Sequence, residues 1–176
     1  MKFLSDIRLL ILALWLGGAV FFISVAASAF SVLADQRELA GAVVNRNLSV
    51  LNYAGIGIAA ILILTSLVGT RGSARVGIWA ERLLLVVMGA ACAIAQFVIN
   101  FWLGSVRAQM GRPLDEIAVD DPLRLQFNTL HEYSSWLLFA AMGAALIAFF
   151  IIANRRFGVA AKTTADVYDF SKEFKT

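Results

Sequence analysis

Long apolar stretches dominate the hydrophobic pattern of the chain. Four stretches of 22 to 26 residues contain no Asp, Glu, Lys or Arg, and they cover 9–34, 47–70, 83–106 and 133–154. An α-helix rises about 1.5 Å per residue and a hydrocarbon core is about 30 Å thick, so each stretch is long enough to cross a membrane. The pattern therefore predicts four transmembrane helices.

The charged residues are confined to the segments between and after these stretches. Charged residues make up 15% of the 176-residue chain and hydrophobic residues 60%, whereas soluble domains carry about 25% charged residues. This composition excludes a soluble globule and a disordered chain. We predict an all-α integral membrane protein with a four-helix transmembrane domain over residues 1–156 and a polar cytoplasmic tail over 157–176. The predicted spans are about 9–34, 47–70, 83–106 and 126–154.

Lysine and arginine are unevenly divided between the two sides that four alternating helices create. One side holds ten, namely Lys2, Arg8, Arg71, Arg75, Arg82, Arg155, Arg156, Lys162, Lys172 and Lys175, and the other holds five, namely Arg37, Arg46, Arg107, Arg112 and Arg124. Positive residues are retained on the cytoplasmic side. We therefore expect both termini in the cytoplasm and a multi-pass protein of the bacterial inner membrane.

Small and polar residues recur at heptad spacing within each span. The four stripes are Gly17, Phe21, Ser24, Ser28 and Ser31; Asn45, Leu48, Asn52, Gly55, Ala59, Leu62 and Ser66; Gly89, Ala93, Gln96, Asn100, Gly104 and Arg107; and Asn128, His131, Ser135, Leu138 and Met142. Lipid does not drive helices together, so small residues and amides mark the faces that helices bury against each other. Four such faces predict a left-handed antiparallel bundle.

Most polar members of these stripes fall in the outer half of the predicted bundle. We infer a candidate polar cluster that opens toward the outside, made of Ser28, Asn52, Gln96, Asn100, Arg107, Asn128, His131 and Ser135. At the inner end, Asp6, Arg8, Glu81 and Arg82 are expected to pair across the starts of the first and third helices as interfacial ion pairs and lipid anchors.

The single histidine, His131, has two interpretations. In the first, it forms a hydrogen bond with an amide such as Asn100 or Gln96 and fixes helix packing. In the second, it belongs to a functional site, because ionisable residues within a membrane cost free energy and commonly have a function. A metal site needs two or more ligands within reach. Only Glu132 adjoins His131, and consecutive helix positions point about 100° apart. We therefore predict no metal site, no catalytic residues and no enzymatic activity.

Tryptophans and turn residues add two expectations. Trp79, Trp102 and Trp136 lie near span ends, where they are expected to form an interfacial aromatic belt; the alternative is that apolar faces bind pigment, quinone or lipid. The segment 111–113 is expected to break the third helix, and Asp121 followed by Pro122 is expected to begin the fourth.

Three short strings resemble a known membrane family. Residues 14–22 (LWLGGAVFF), 40–44 (AGAVV) and 127–131 (FNTLH) are similar to the four-helix membrane family of unknown function typified by transmembrane protein two hundred and five. The resemblance covers about residues 5–155. It implies the fold and topology but no reaction.

Three classes of function remain open. The first is a non-enzymatic accessory or structural subunit that packs against a larger respiratory or photosynthetic membrane complex and holds lipid or pigment. The second is a small transporter or metal-tolerance factor that uses the polar cluster around His131. The third is a membrane-bound enzyme or haem protein, for which the sequence offers no suitable set of metal or haem ligands. The expected partners are membrane lipids and other membrane subunits; no basic stripe interleaved with aromatics suggests nucleic acid.

Overall fold

The computed structural model is entirely helical over the residues it describes. These are 2–68 and 75–167 for the backbone, and 3–67, 76–114 and 116–154 for side chains. The α-helices are α1 (Lys2–Val32), α2 (Arg37–Val68), α3 (Arg75–Ala93), α4 (Asn100–Met110) and α5 (Pro122–Val167); a π-helical turn (Ile94–Ile99) joins α3 to α4, and a 3-10 turn (Leu114–Glu116) follows α4.

Four helical segments are long and apolar enough to cross a membrane. They are Phe3–Val32, Arg37–Leu67, Val76–Met110 and Pro122–Asn154, which confirms the prediction of four membrane-length helices. Polar flanks extend the helices beyond the apolar stretches, so that α2 begins at Arg37 rather than near residue 47. The backbone of α5 continues to Val167, past the predicted domain boundary at 156. The described residues do not include 69–74 and 168–176. Some of the lysines and arginines used to predict the orientation, and part of the predicted tail, therefore lie outside the described residues.

The helices pack in a ring. α1 contacts α2, α2 contacts α3, α3 contacts α5, and α5 contacts α1. On α1 and α2, a side-chain nitrogen of Arg8 donates to the carbonyl oxygen of Leu62, whereas the Trp15 indole donates to that of Leu51.

The main core depends on one large side chain meeting small ones. Trp15 on α1 is 4% exposed, and its Nε1 lies 3.1 Å from the Leu51 carbonyl oxygen. A Cβ placed on Gly55 would lie 2.6 Å from Cys92 Sγ and 3.1 Å from the Trp15 Nε1. Three helices thus meet at Gly55, where any side chain would collide with its neighbours. Buried alanines of α5 line the same core, namely Ala141, Ala144, Ala145 and Ala148.

The heptad stripe identifies the inward face of α2, where five of its seven members are buried. The stripes of the third span and of α5 are inward only in part: Gln96 and Leu138 are buried, whereas Arg107 and His131 are exposed. The prediction for α1 is wrong. The inward face of α1 carries Leu12, Trp15, Ala19 and Phe22. The predicted stripe, here called the serine stripe, is Gly17, Phe21, Ser24, Ser28 and Ser31, and all five are exposed. The reason is that Gly55 on α2 supplies the small residue at this contact, so α1 can present bulky side chains.

Turn residues end and begin helices as predicted. α4 ends before Gly111, whose φ of 64° is the left-handed conformation that favours glycine. Pro122 opens α5, and the backbone N–H of Leu123 donates to Asp121 Oδ1 at 2.8 Å, which caps the helix.

The end of the bundle where α1 and α3 begin, here called the ion-pair end, holds a buried salt bridge. Arg8 pairs with Glu81, whose side chain is 0% exposed. Arg82 instead bonds to α2, through the hydroxyl and carbonyl oxygens of Ser66 at 2.9 and 3.0 Å. The predicted pairing is thus confirmed for Arg8 and Glu81. The predicted role as a lipid anchor is wrong for Glu81, because its carboxylate pairs with Arg8 and is enclosed by the bundle.

Candidate arginine-lined cavity

A cavity of about 420 Å³ lies at the end of the bundle opposite the ion-pair end. Its walls come from the end of α1, the start of α2, α4 with its following turn, and the start of α5. The lining is Phe30, Arg37, Glu38, Gly41, Val44, Asn45, Leu48, Asn100, Leu103, Gly104, Arg107, Met110, Arg112, Pro113, Leu114, Arg124, Phe127, Asn128, His131 and Ser134. We call this space the arginine cavity.

Cations dominate the charge of the lining. Among the described side chains, the lining contains Arg37, Arg107, Arg112 and Arg124 and one acidic residue, Glu38. Over the described side chains, no ion pair joins Glu38 to Arg107, Arg112 or Arg124. The described lining therefore carries an excess of positive charge.

Local contacts fix two of the guanidinium groups. The Arg107 guanidinium carbon lies 5.5 Å from the centre of the Phe127 ring, a cation–π distance. A Cβ on Gly41 would lie 3.3 Å from Arg107 Nη2, so this glycine leaves room for the guanidinium. Arg124 is held by its hydrogen bond to the Ile117 carbonyl oxygen.

Four of the eight predicted cluster residues line the arginine cavity. These are Asn100, Arg107, Asn128 and His131. The structure does not bring the other four into the lining: Asn52 and Gln96 are buried in the bundle, Ser135 donates to the His131 carbonyl oxygen at 3.1 Å, and Ser28 lies on the exposed serine stripe. For Ser28, the predicted inward position is wrong because α1 is turned the other way.

His131 is exposed to the cavity and makes neither of the predicted packing bonds. Among the described residues, no hydrogen bond joins its imidazole to Asn100 or Gln96. The role of this histidine as a packing residue is thus not supported by the geometry.

Gln96 lies in the π-helical turn, one turn before Asn100. The side chain is 9% exposed, and its Oε1 has no hydrogen-bond partner among the described residues. The turn has the wide π pattern at its end, where the Asn100 N–H donates to the Ala95 carbonyl oxygen. Such turns are frequent at functional sites.

Over the described residues, no group of three or more His, Cys, Asp and Glu side chains is placed to hold a metal ion. The single cysteine, Cys92, is buried in the main core. The chemistry that the cavity offers is therefore that of guanidinium and amide donors beside apolar walls.

Sequence reasoning missed three of the cavity arginines. The sequence suggested a role in membrane orientation, and no role in a site, for Arg37, Arg112 and Arg124. The available signal was that this side of the chain carries five arginines and no lysine over its loops, with four of the five at helix ends that meet in the fold.

Four membrane-length helices arranged in a ring define the class of the protein: it is a multi-pass α-helical membrane protein with a cavity at one end of its bundle. The chain belongs to the family described as a domain of unknown function (DUF4149), whose model matches residues 10–112. No curated protein and no solved structure gives a significant match.

The family match covers the first three spans and three of the cavity arginines. It agrees with the expected uncharacterised family, without identifying the one typified by transmembrane protein two hundred and five. Arg124, Phe127 and His131, which complete the cavity from α5, lie beyond the matched residues.

Proposed function

We propose that the protein is a non-enzymatic accessory or structural subunit that packs against a larger membrane complex of the respiratory or photosynthetic type. The observation that carries this proposal is the exposed serine stripe on α1. Its glycine and three serines recur at heptad spacing on a face that is exposed in the described part of the chain. Small and hydroxyl-bearing residues favour close helix contact over contact with lipid tails.

The proposed arrangement is an antiparallel bundle with both termini in the cytoplasm of a bacterial cell. The opposed contacts of α1 and α2 support the antiparallel part, and the ten-to-five division of lysine and arginine supports the orientation. The arginine cavity then faces outward.

A cysteine introduced at Asp120 tests this orientation. In intact cells, a membrane-impermeant maleimide should label Asp120→Cys, which lies in the exposed turn before α5. Val76→Cys, at the 82% exposed start of α3, should react only after the membrane is permeabilised. The unmodified parent is the blank, because Cys92 is 1% exposed. Labelling of Val76→Cys from outside, with protection of Asp120→Cys, contradicts the orientation.

Cross-linking from the serine stripe tests the accessory role. A photoactivatable maleimide attached to Ser24→Cys in native membranes should join the chain to a different membrane subunit, because that face is expected to touch the partner. Phe139→Cys is the matched control, because Phe139 is 54% exposed on α5 and stands away from the stripe.

Mass spectrometry of the cross-linked product distinguishes the outcomes. A product with another subunit from Ser24→Cys, but not from Phe139→Cys, supports the proposal. Equal products from both positions, lipid adducts alone, or a product between two copies of this chain contradicts it.

The alternative is a small transporter or metal-tolerance factor that uses the polar cluster around His131. It is favoured by one observation, namely that Asn100, Arg107, Asn128 and His131 line the same cavity. The main apolar core lies between this cavity and the ion-pair end. That core would have to open for a polar solute to pass, which is why we place this candidate second.

A further inference from the structure

The arginine cavity gathers almost all the cationic side chains of its end of the protein. Of the five arginines there, four line the cavity, and Arg46 is exposed outside it. Membrane orientation does not require these arginines to lie close together, because arginines spread over separate loops would favour the same orientation. The clustering therefore calls for a ligand of opposite charge.

Three of these arginines have donors to spare. Over the described residues, Arg107 and Arg112 have no hydrogen-bond or ion-pair partner, and Arg124 uses its Nη1 on the Ile117 carbonyl oxygen. A guanidinium carries five N–H donors, so the Arg124 contact leaves others unused. Arg37 already interacts within the chain, and the inference does not depend on it.

Beside its polar residues, the lining has a large apolar part. Phe30, Val44, Leu48, Leu103 and Phe127 come from α1, α2, α4 and α5. The volume of about 420 Å³ lies within the range of small-ligand sites, roughly 300–1,000 Å³. A simple inorganic ion would leave these apolar walls without a partner, whereas an anion with an apolar body would cover them.

We propose that the arginine cavity binds an amphiphile with a phosphate head group. Arg107, Arg112 and Arg124 project from α4, from the turn after it and from α5, so their donors reach the cavity from separate directions. A phosphate presents several acceptor oxygens around one centre and can bond to more than one arginine. Two sources share this chemistry: an anionic phospholipid of the surrounding membrane, and a soluble phosphate ester.

The full-length protein, purified in a neutral detergent, can be titrated with three probes. They are phosphatidylglycerol, phosphatidylcholine with the same acyl chains, and hexyl phosphate, a soluble phosphate ester with an apolar body. Retained mass in native mass spectra reports binding, and so does a rise in the thermal unfolding midpoint. Binding of phosphatidylglycerol above phosphatidylcholine indicates the lipid source. Binding of hexyl phosphate without phosphatidylglycerol indicates the soluble source, and either result supports the proposal.

Charge variants then locate the binding. Arg107→Gln and Arg112→Gln should each weaken binding roughly tenfold, because each removes a charge-assisted donor. Arg46→Gln, which removes the same charge outside the cavity, should leave binding unchanged. Glu38→Gln should tighten it, because it removes the acidic side chain from the lining.

A loss of folding would weaken binding in every variant, whereas the proposal expects the arginine variants to weaken binding and Glu38→Gln to tighten it. If Arg107→Gln does not fold, Arg112→Gln and Glu38→Gln still decide the question, because both lie near the surface. The proposal is overturned if neither phosphatidylglycerol nor hexyl phosphate binds, if Arg46→Gln weakens binding as much as the cavity variants, or if Glu38→Gln also weakens it. The cavity lies within one chain, so these results are independent of the accessory role.

Discussion

Replacing Glu81 with leucine is expected to lower the free energy of unfolding by about 3–5 kcal/mol. The Glu81 side chain is fully buried and pairs with Arg8, whose side chain is 13% exposed. Without the carboxylate, the guanidinium stays among buried apolar groups, and its bond to the Leu62 carbonyl oxygen at 2.9 Å is then its main remaining contact. Unfolding in mixed micelles, followed by circular dichroism, measures the loss.

A double variant provides the control. Removing both charges with Arg8→Met and Glu81→Leu together should recover most of the stability that Glu81→Leu loses, because well-packed apolar residues replace buried ion pairs at little or no cost. The two single variants and the double variant form a cycle that isolates the coupling. A Glu81→Leu protein as stable as the parent, or a double variant less stable than Glu81→Leu, would show that the pair does not stabilise the bundle.

The second large effect is expected at Gly55. Changing Gly55 to alanine should lower the free energy of unfolding by about 1–3 kcal/mol through overpacking. The new Cβ would lie 2.6 Å from Cys92 Sγ and 3.2 Å from Trp15 Cζ2. Neither neighbour has free space, because both are buried in the main core. The same micelle unfolding assay measures the change.

Two variants make the prediction at Gly55 specific. Gly57→Ala is the matched control on the same helix, because nothing lies within 4 Å of its added Cβ; alanine is the better helix former by about 1 kcal/mol, so its stability should stay equal or rise. Adding Cys92→Ala to Gly55→Ala removes the nearest atom and should restore part of the loss. Equal effects of Gly55→Ala and Gly57→Ala would contradict the proposed close contact.

The sequence predicts those features that depend on local composition. Four charge-free stretches predict four membrane-length helices, Gly111 predicts the end of α4, and Asp121 with Pro122 predicts the start of α5. Each follows from the chemistry of a few adjacent residues, such as the unrestricted φ of glycine. The structure adds little to these beyond the polar extensions of the helices.

The face of α1 could not be predicted in the same way. In a membrane, apolar residues are suitable on both the lipid side and the bundle side, so hydrophobicity does not choose between Leu12 with Trp15 and the serine stripe. The choice is made by the neighbouring helix, where Gly55 admits the indole of Trp15. The sequence of one helix therefore does not determine which of its faces contacts the neighbouring helix.

The arginine cavity was predicted only in part for a related reason. Heptad spacing gives the shared faces of Asn100 with Arg107 and of Asn128 with His131. Arg37, Arg112 and Arg124 lie at helix ends, outside any periodic pattern, and only the convergence of α2, α4 and α5 brings them together.

The π-helical turn Ile94–Ile99 divides the third span into two halves with different neighbours. Before it, α3 packs on both α2 and α5; after it, α4 packs mainly on α5. The cavity lies where the contact with α2 is lost, between Leu48 on one side and Leu103 on the other. The π-helical turn thus lies where the third span changes from a packed interface to the wall of an open volume. None of its six residues belongs to the lining of that volume.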